Sequence, residues 1–574
     1  MAAKEVLDLK ELKTILSKRA GNGKGALLPT LIEAQEAYGY LSEPLVVAIG
    51  EALKVPMAEI HGVIEFYTML YREPIGKEVI RVCTSPVCAQ SGGVELLEAL
   101  CRNFRVRPGE TTADGQYTVE EVPCLCLCDH APAALVGETP VGLVDPLKPM
   151  EIVRGPKEAP LGFIGGEPRW LTPRCGINKP EDLDAFVKSG GFSGLRRALK
   201  EMNPADVIGE VKNSGLVGRG GAAFPTGLKL EFTSKAESQV RYIVCNGDES
   251  EPGTFKDRIL MEGDPYFILE GMTIAAYAIG AQKGYIYIRG EYPRAQKIVQ
   301  KAITEARAGG YLGENILGGD FSFDVELRIG AGAYICGEET ALFESIEGKQ
   351  GFPRLKPPYP TTHGLFGQPT AINNVETICA IAWIIANGSD AYRSQGTKDS
   401  PGTKLFCLSG DVVTPGVFEV PYGTHLGELI NLAGGFVGEP QAFLLGGAAG
   451  TFAGPDELDL EMSFEGLKSA GHSLGSGVVM VFNQDRDLRQ TFHQLAIFFA
   501  HESCGKCFPC RLGTKRQLEI VERVKDGKAD AGDIAALKDI QFAMTNASLC
   551  GLGMTAGSAI RTALEKWPDL FFKG

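Results

Sequence analysis

Eight of the fifteen cysteines in this chain of 574 residues form two groups of four, one near each end. The first group is Cys83, Cys88, Cys124 and Cys128, and the second is Cys504, Cys507, Cys510 and Cys550. Closely spaced thiolates are the ligands of iron–sulfur clusters, because soft sulfur must cap each iron within a short reach. Two such sites in one chain predict a protein that transfers electrons.

The cysteine pattern leaves two questions open. A structural zinc ion also takes four cysteine ligands, so zinc is the main alternative to a cluster at either site. In the first group, Cys126 lies between Cys124 and Cys128 and could replace one of them as a ligand. The histidines show no metal-ligand spacing, and we expect His130 and His501 to support the neighbouring cysteine groups instead of binding metal.

A glycine-rich loop at residues 215–229 lies between the two cysteine groups. Its glycines let backbone N–H groups approach a phosphate or a ring closely, and Lys229 could add a positive charge. Residues 218–223 formally fit the G-x-G-x-x-G/A fingerprint of dinucleotide sites. That match is weak, because the preceding segment has a helical pattern whereas the fingerprint follows a strand.

Two further segments combine glycines with acidic side chains. Residues 245–258 begin at the end of a predicted strand, where open α/β sheets bind their ligands. Asn246 can donate and accept hydrogen bonds there, and Asp248 and Glu251 can accept them from ribityl or ribose groups. Residues 330–342 again join glycines to paired acids. Three such segments on one predicted sheet favour a nucleotide site, and a glycine-rich scaffold of solvated loops is the alternative.

The composition is that of an ordinary globular protein, with 44% hydrophobic and 22% charged residues. The net charge of −14 argues against binding to nucleic acid or an anionic membrane, which requires a basic surface. The longest apolar run, 378–386, suits a buried helix and is too short to span a membrane. The charged, amphipathic N-terminus (MAAKEVLDLKELK) contains no apolar signal segment, so we expect a cytoplasmic location.

A chain of this length exceeds one hydrophobic core, so about three to five domains are expected. Periodicity and turn residues predict the following regions: a helical segment with a small α/β module at 1–150, a Pro- and Gly-rich connecting arm at 151–185, a doubly wound βαβ region at 186–400, a compact α+β module at 401–485, and a helical region at 486–574. We expect strand ends of the first module to hold the first cysteine group, and two helices of the last region to flank the second.

Longer motifs resemble the NADH-oxidising flavoprotein of respiratory complex I and its relatives. Residues 1 to about 150 are similar to the thioredoxin-like 2Fe–2S subunit (24-kDa type), with Cys126 where that family usually has glycine. Residues from about 175 onward resemble the FMN-binding subunit (51-kDa type). Its motifs are GRGGAAFPTGLK, with Ala223 for the usual glycine, CNGDESEPG, with Gly247 for alanine, and GAYICGEETAL, INNVET and ESCGKCFPC. The resemblance implies a multidomain α/β fold: a thioredoxin-like domain, a Rossmann-like FMN domain, a ubiquitin-like β-grasp domain and a C-terminal helical 4Fe–4S domain.

The resemblance also implies which residues bind each cofactor. For FMN these are Gly218, Arg219, Gly220, Lys229, Asn246, Asp248, Glu249, Tyr334, Gly337, Glu338, Asn373, Asn374 and Thr377. For NADH they are Phe224, Phe232, Glu251, Glu339, Lys356 and Tyr359, with Glu251 and Glu339 as the catalytic pair that positions the nucleotide. Tyr359 keeps the stacking ring of the family's usual phenylalanine and adds a hydroxyl. The first cysteine group would hold the 2Fe–2S cluster and the second group the 4Fe–4S cluster.

The function implied is that of an NADH:acceptor oxidoreductase, or diaphorase. Hydride would pass reversibly between nicotinamide C4 and FMN N5, and single electrons would leave through the 4Fe–4S cluster, with the 2Fe–2S cluster as a side site. No base is needed for the hydride itself.

The partners implied are a ferredoxin-type iron–sulfur subunit and a terminal enzyme. Fusion of both subunits in one chain is typical of the diaphorase subunit of NAD-reducing hydrogenases, so a hydrogenase is favoured. A complex I arm or a formate dehydrogenase is the alternative, and a non-enzymatic, zinc-bearing assembly module is the alternative from another class. The chain ends at Gly574 without the further ferredoxin domain common in electron-bifurcating relatives, which disfavours bifurcation. We expect neither binding to nucleic acid nor insertion into a membrane.

Overall fold

The computed structural model of the protein describes residues 9–19 and 23–572. The expectation for the charged N-terminal segment falls mainly on residues 1–8, which lie outside the described residues. Within the described ranges, no helix is long and apolar enough to cross a membrane.

The N-terminal part begins with helices and continues into a small sheet. The helices are α1 (Lys10–Ser17), α2 (Leu27–Tyr38), α3 (Glu43–Leu53) and α4 (Met57–Phe66). The sheet and its helices are β1 (Glu78–Cys83), α5 (Pro86–Gln90), α6 (Gly93–Phe104), β2 (Tyr117–Val122), β3 (Ala134–Val136) and β4 (Thr139–Val141). The strand order is β2-β1-β3-β4, with β1 parallel to β2 and antiparallel to β3. As predicted, the buried strand β1 ends at Cys83.

The Pro- and Gly-rich segment that follows contains α7 (Glu151–Arg154) and β5 (Phe163–Gly165). The central region then runs through α8 (Leu183–Lys188), α9 (Ser193–Glu201), α10 (Pro204–Ser214), α11 (Thr226–Lys235), β6 (Tyr242–Gly247), α12 (Lys256–Gly263), α13 (Pro265–Ile279), β7 (Lys283–Ile288), α14 (Pro293–Ala308), β8 (Asp324–Ile329), α15 (Glu339–Ile346), α16 (Pro360–His363), β9 (Thr370–Asn374), α17 (Val375–Asn387) and α18 (Ser389–Arg393). Its strands are all parallel in the order β8-β7-β6-β9. The apolar run 378–386 lies in the buried helix α17, as predicted.

The next module contains β10 (Thr403–Gly410), β11 (Gly416–Pro421), α19 (Leu426–Leu432), β12 (Pro440–Leu445), β13 (Thr451–Ala453), α20 (Phe464–Ser469) and β14 (Val478–Asn483). Its sheet has the order β13-β12-β14-β10-β11-β5, so the arm strand β5 pairs in parallel with β11. The arm is therefore part of this sheet, which its Pro- and Gly-rich sequence did not predict.

The C-terminal region is helical: α21 (Leu488–Glu502), α22 (Phe508–Lys525), α23 (Ala531–Ala547), α24 (Gly551–Thr555) and α25 (Ser558–Lys566). Helix α22 packs against both α21 and α23. The second cysteine group spans the α21–α22 connection and the start of α24, as expected. These elements confirm the predicted mixed α/β, multidomain fold.

A buried carboxylate fixes the arm to the sheet. Glu419 of β11 is fully buried and accepts hydrogen bonds from the backbone N–H groups of Trp170 (2.8 Å) and Leu171 (2.9 Å). It also accepts from the backbone N–H (3.0 Å) and hydroxyl (2.8 Å) of Thr172. One charged side chain thus satisfies three successive backbone donors of the arm, which would otherwise be buried without partners.

Replacing Glu419 with Gln tests this attachment. The amide NH₂ group would face N–H donors, so we expect a loss of about 2 kcal/mol in the free energy of unfolding and faster hydrogen exchange at residues 170–172. The exposed Glu439 provides the control, because Glu439→Gln removes a surface charge and should change neither quantity. Unchanged exchange at residues 170–172 in Glu419→Gln would show that this carboxylate does not hold the arm.

Candidate functional site

The candidate site lies at the carboxyl end of the parallel sheet, between β6 and β9. The chain runs from β6 outward through β7 to β8 and then returns to β9 on the other side of β6. Such a reversal leaves a crevice between the two strands, where open α/β sheets bind ligands. Asn246 near the end of β6 and Asn373 and Asn374 at the end of β9 border this crevice.

The glycine-rich loop closes over this edge of the sheet. The Gly218 N–H donates to the Phe224 carbonyl oxygen (2.9 Å), and the Arg219 N–H donates to Thr377 Oγ1 (2.9 Å). A Cβ added at Gly220 would lie 3.3 Å from Asn374 Cβ, so the bare glycine allows the loop to approach β9 closely. Ala223, which stands where the related family has glycine, adopts a left-handed conformation with φ 52°.

Several polar atoms of the crevice fit a polar ligand such as FMN. Among the described residues, both amide atoms of Asn373 and the Oδ2 atom of Asp248 are buried without a hydrogen-bond partner. Such atoms are rare in folded proteins and mark a place for a ligand or water. Lys229 Nζ donates to the Ile372 carbonyl (2.7 Å) beside them, and burial lowers the pKa of Lys229. These residues can hold the ribityl and phosphate groups of a flavin nucleotide.

Asp248 is protonated near neutral pH because it is deeply buried. Burial raises its pKa to about 8, while the nearby Arg289 opposes this rise. Ser250 donates its hydroxyl proton to Asp248 Oδ1 (2.9 Å). The carboxyl group can therefore donate as well as accept a hydrogen bond inside the crevice.

Some of the residues that the resemblance assigns to FMN use their side chains to bond to other parts of the protein around the site. The Arg219 guanidinium turns away, donates to the Tyr392 hydroxyl and lies 4.5 Å from the Tyr422 ring. Glu249 accepts from the N–H groups of Asp257 (2.8 Å) and Arg258 (2.9 Å) at the start of α12. Any contact of Arg219 or Glu249 with the flavin would therefore come from the backbone.

The side chains of Glu338 and Asn374 also bond to the protein, in each case by capping the start of a helix. Glu338 Oε2 accepts from the N–H groups of Thr340 (2.9 Å) and Ala341 (3.0 Å), which begin α15. Asn374 Oδ1 accepts from the N–H of Glu376 (3.0 Å), which begins α17. The ends of both helices are thereby fixed at the crevice.

The residues assigned to NADH lie around the entrance of the crevice. Lys356 Nζ donates to Glu339 Oε1 (2.6 Å) and to Glu338 Oε1 (2.9 Å). The Phe224, Phe232 and Tyr359 rings are 44%, 49% and 59% exposed, so their faces are available to stack on a nucleotide. Helices α11 and α16 pack together, which brings the elements next to these aromatic residues into contact.

Glu251 lies deeper than Glu339, the other carboxylate assigned to NADH. Its Oε1 accepts from the Ala449 N–H (2.7 Å), and its Oε2 accepts from the Tyr334 hydroxyl. Burial raises the pKa of Glu251, and these two hydrogen bonds oppose the rise. The carboxylate therefore joins the central sheet to the module that contains Ala449.

The second cysteine group surrounds one pocket. Cys504, Cys507, Cys510 and Cys550 line it together with Ile335, Pro353 and Leu552. Ser503 Oγ lies 3.2 Å from Cys510 Sγ, and Lys506 Nζ donates to the Pro353 carbonyl (2.8 Å). Four thiols around one small apolar cavity suit an iron–sulfur cluster, which is held by cysteine sulfurs.

A single turn connects the crevice to this pocket. Asn246 Nδ2 donates to the Gly337 carbonyl (2.8 Å), while Ile335, two residues earlier, lines the sulfur pocket. The Tyr334 N–H donates to Glu502 Oε2 (3.1 Å) at the end of α21. The turn at residues 334–337 therefore contacts both the flavin crevice and the second cysteine group.

The first cysteine group is more deeply buried. Its four thiols are at most 3% exposed. Hydrogen bonds from the Cys124 and Cys88 thiols lower the pKa of Cys83, so these three sulfurs converge. Within residues 9–19 and 23–572, no three His, Cys, Asp or Glu side chains are placed to hold a single metal ion.

Two buried interactions at this site were missed in the sequence analysis. Arg289, just after β7, donates from Nη2 to the Cys124 carbonyl (2.8 Å) and from Nη1 to the Glu249 carbonyl (2.9 Å). Arg258 donates to both oxygens of Asp129 (2.7 and 2.8 Å), next to Cys128. Arg289 directly follows β7, and no local sequence pattern indicated that it contacts the first cysteine group.

Comparison with known protein families supports this description of the site. Residues 211–383 match the Nuo51 FMN-binding domain, and residues 12–157 match the thioredoxin-like [2Fe-2S] ferredoxin family. Residues 490–573 match the NADH-ubiquinone oxidoreductase-F iron-sulfur binding region, and residues 405–450 match the SLBB domain. The predicted cofactors, FMN, one 2Fe–2S cluster and one 4Fe–4S cluster, are thereby confirmed.

The chain is similar to proteins of two kinds. It is 36% identical over 575 residues to the alpha subunit of NAD-reducing hydrogenase HoxS of Cupriavidus necator, covering 97% of this chain and 93% of that protein. It is 46% identical over 401 residues to the F-type subunit of NADH-quinone oxidoreductase of Aquifex aeolicus, covering 70% of this chain and 92% of that protein. A crystal structure of NAD+-reducing [NiFe]-hydrogenase in the H2-reduced state matches with a TM-score of 0.85 and 35% identity, covering 96% of this chain and 92% of that chain.

Replacing Asp248 with Asn tests the protonation of the crevice. The pKa of Asp248 is about 8 in the folded protein, against about 3.9 in an unfolded chain. The folded state therefore retains a proton that the unfolded state releases, so this group's contribution to stability falls as pH rises toward 8. The measured quantity is the free energy of unfolding of Asp248→Asn minus that of the native protein. We expect this difference to increase by at most about 1.4 kcal/mol per pH unit up to about pH 8 and to stay constant above it.

Denaturant unfolding of both proteins across about pH 6 to 9 measures this difference. Asp264 provides the matched control, because burial raises its pKa only to about 6. The difference in free energy of unfolding between Asp264→Asn and the native protein should therefore change little across the same pH range. A pH-independent difference for Asp248→Asn between about pH 6 and 8 would contradict a neutral Asp248.

Proposed function

This chain belongs to the family of FMN- and iron–sulfur-containing NADH dehydrogenase subunits that includes the F-type subunit of NADH-quinone oxidoreductase, and we propose that it is the diaphorase subunit of an NAD-reducing hydrogenase. It exchanges electrons between NAD(H) and the iron–sulfur partners of a multi-subunit complex. Membership of the family makes the chain an oxidoreductase flavoprotein. The terminal partner and the residue assignments are parts of the proposal.

One observation carries the proposal: residues 246–251, at the carboxyl end of β6, are linked to both cysteine groups by hydrogen bonds through one intermediate residue or turn on each side. On one side, Asn246 bonds to the turn at residues 334–337, whose Ile335 lines the pocket of the second group. On the other side, the Glu249 carbonyl accepts from Arg289, which also bonds to the Cys124 carbonyl. A two-electron site placed between two one-electron sites is the arrangement that a diaphorase requires.

FMN would supply a two-electron hydride acceptor when bound, and the clusters would supply one-electron acceptors. The chain's own residues bind, orient and desolvate the reactants. Asn373, Asp248 and Lys229 would hold the flavin nucleotide in the crevice. Glu339 would position the nucleotide substrate at the entrance, where Lys356 links Glu339 to Glu338, and Glu251 would position it further inside. Ring stacking and burial set the geometry, so no general base is assigned.

We assign the exit of electrons to the second cysteine group because it lies nearer to the surface. Cys504, Cys507 and Cys550 are partly exposed, whereas every cysteine of the first group is buried. A partner subunit can therefore approach the second group closely. The first group is then a side site that exchanges electrons with the flavin alone.

The extent of the similarity favours a hydrogenase as the terminal partner. The hydrogenase alpha subunit aligns with 97% of this chain, including the first cysteine group, whereas the NADH-quinone oxidoreductase relative aligns with 70%. The higher identity of that oxidoreductase relative, 46%, keeps a complex I arm as the second candidate. The fifteen cysteines are all free, which accords with the reducing cytoplasm that we propose as the location.

Replacing Cys507 with Ala tests the exit route. We expect NADH to bleach the flavin absorbance as in the native protein, because the crevice is unchanged, while reduction of the co-purified partner falls to background. Anaerobic stopped-flow absorbance and partner turnover measure the two steps separately. Cys379→Ala, at a buried position in α17 outside both groups, should leave both steps intact. Partner reduction at the native rate in Cys507→Ala would refute this route.

Metal analysis of the native complex tests the identity of the partner. We expect nickel to co-purify with the chain and NADH formation to depend on H2, since the proposed partner is a nickel–iron hydrogenase. Molybdenum would instead indicate a formate dehydrogenase, and quinone reduction without nickel would indicate a complex I arm. Either result would reject the hydrogenase assignment while leaving the diaphorase activity in place.

A further inference from the structure

Cys126 occupies a position that disfavours any side chain. Its φ is +50°, in the left-handed region, and the related family usually has glycine here. A non-glycine residue in this region carries a cost of about 1–2 kcal/mol. The residue is also completely buried. A buried thiol retained in a strained position indicates a role for the thiol itself.

The Cys126 sulfur lies beside a proposed cluster ligand and points to a cation. Its Sγ is 3.6 Å from Cys124 Sγ, and its backbone N–H lies 3.3 Å from the same sulfur. Arg289 Nη1 donates to Cys126 Sγ at 3.0 Å. The thiol proton can also reach the Glu251 carbonyl at 3.6 Å. The thiol is therefore held by Arg289 and lies within hydrogen-bond reach of the Cys124 sulfur.

Arg289 brings a buried positive charge to the same place. The guanidinium is 4% exposed and bonds to the Cys124 carbonyl and to Cys126 Sγ. Glu291 pairs with it at 2.8 Å and offsets part of its charge. Hydrogen bonds to ligand sulfurs and nearby positive charge both stabilise the reduced form of an iron–sulfur cluster, which carries one more electron.

We infer that Cys126 is a positioning residue that raises the reduction potential of the 2Fe–2S cluster, by donating its thiol proton to Cys124 Sγ and by holding Arg289 beside that ligand. The inference rests on the proposed assignment of Cys83, Cys88, Cys124 and Cys128 as the cluster ligands. Among the hydrogen-bond acceptors of the thiol, a ligating Cys124 sulfur carries the most negative charge and forms the stronger bond. Glycine at position 126 would keep the backbone N–H bond and lose the three contacts of the thiol.

The test is an EPR-monitored redox titration of the whole protein with Gly or Ser at position 126. In Cys126→Gly we expect the 2Fe–2S cluster to remain, with a lower potential, so that its ratio of reduced to oxidised form at a fixed potential falls about fivefold. Cys126→Ser retains a hydroxyl donor and should keep most of the native potential. Cys175→Ser is the control, because Cys175 is a buried thiol outside both groups, bonded weakly to the Ile259 carbonyl.

Stability separates this role from a purely structural one. Since glycine relieves the left-handed strain, Cys126→Gly should be at least as stable as the native protein while its potential is lower. Arg289→Gln, which removes the charge, should shift the potential in the same direction.

Two results would overturn the inference. An unchanged potential in Cys126→Gly would show that the thiol does not act on the cluster. Loss of the 2Fe–2S signal and of its iron in Cys126→Gly would show that Cys126 is itself a ligand. Absence of any 2Fe–2S signal in the native protein would instead refute the proposed ligand assignment.

Discussion

The structure depends on the burial of one polar loop, residues 246–251, at the carboxyl end of β6. Backbone and side-chain groups of this loop bond to Gly337, Arg289 and Ala449, which belong to three different parts of the chain. Taking so many polar groups out of water is favourable only if each finds a partner. The loop is therefore held by the surrounding elements. Among its buried side-chain atoms, Asp248 Oδ2 lacks a partner, and a flavin nucleotide could supply one.

The same burial explains why the two cysteine groups differ. The first group packs beneath the loop, where buried ion pairs such as Arg258 with Asp129 close the contact and exclude water. The second group lies at the ends of helices α22 and α24, where the chain remains partly exposed. A cluster in a dry, enclosed position can store an electron, whereas one near the surface can pass it to another protein. Clusters bound at the two groups would therefore differ in their access to partner proteins.

The local signals in the sequence predicted much of the site. Cysteine spacing predicted two iron–sulfur sites, a strand pattern predicted the sheet edge that carries Asn246, and the family resemblance identified the cofactors. Long-range contacts were not predictable, because partners such as Cys126 and Arg289 are 163 residues apart and no local pattern links them. The docking of the arm on Glu419 and the outward turn of the Arg219 side chain were missed for the same reason. The proposed domain boundaries, such as that at residue 150, stay predictions.

Electrons should pass from the flavin crevice directly to the second cysteine group. Rapid-freeze EPR can follow this transfer after the native protein is mixed with less than one equivalent of NADH, with flavin absorbance recorded in parallel. We expect the signal of the reduced 4Fe–4S cluster to grow in the same kinetic phase in which the reduced flavin is reoxidised. A flavin that stays reduced while the 4Fe–4S cluster remains oxidised would rule out this transfer.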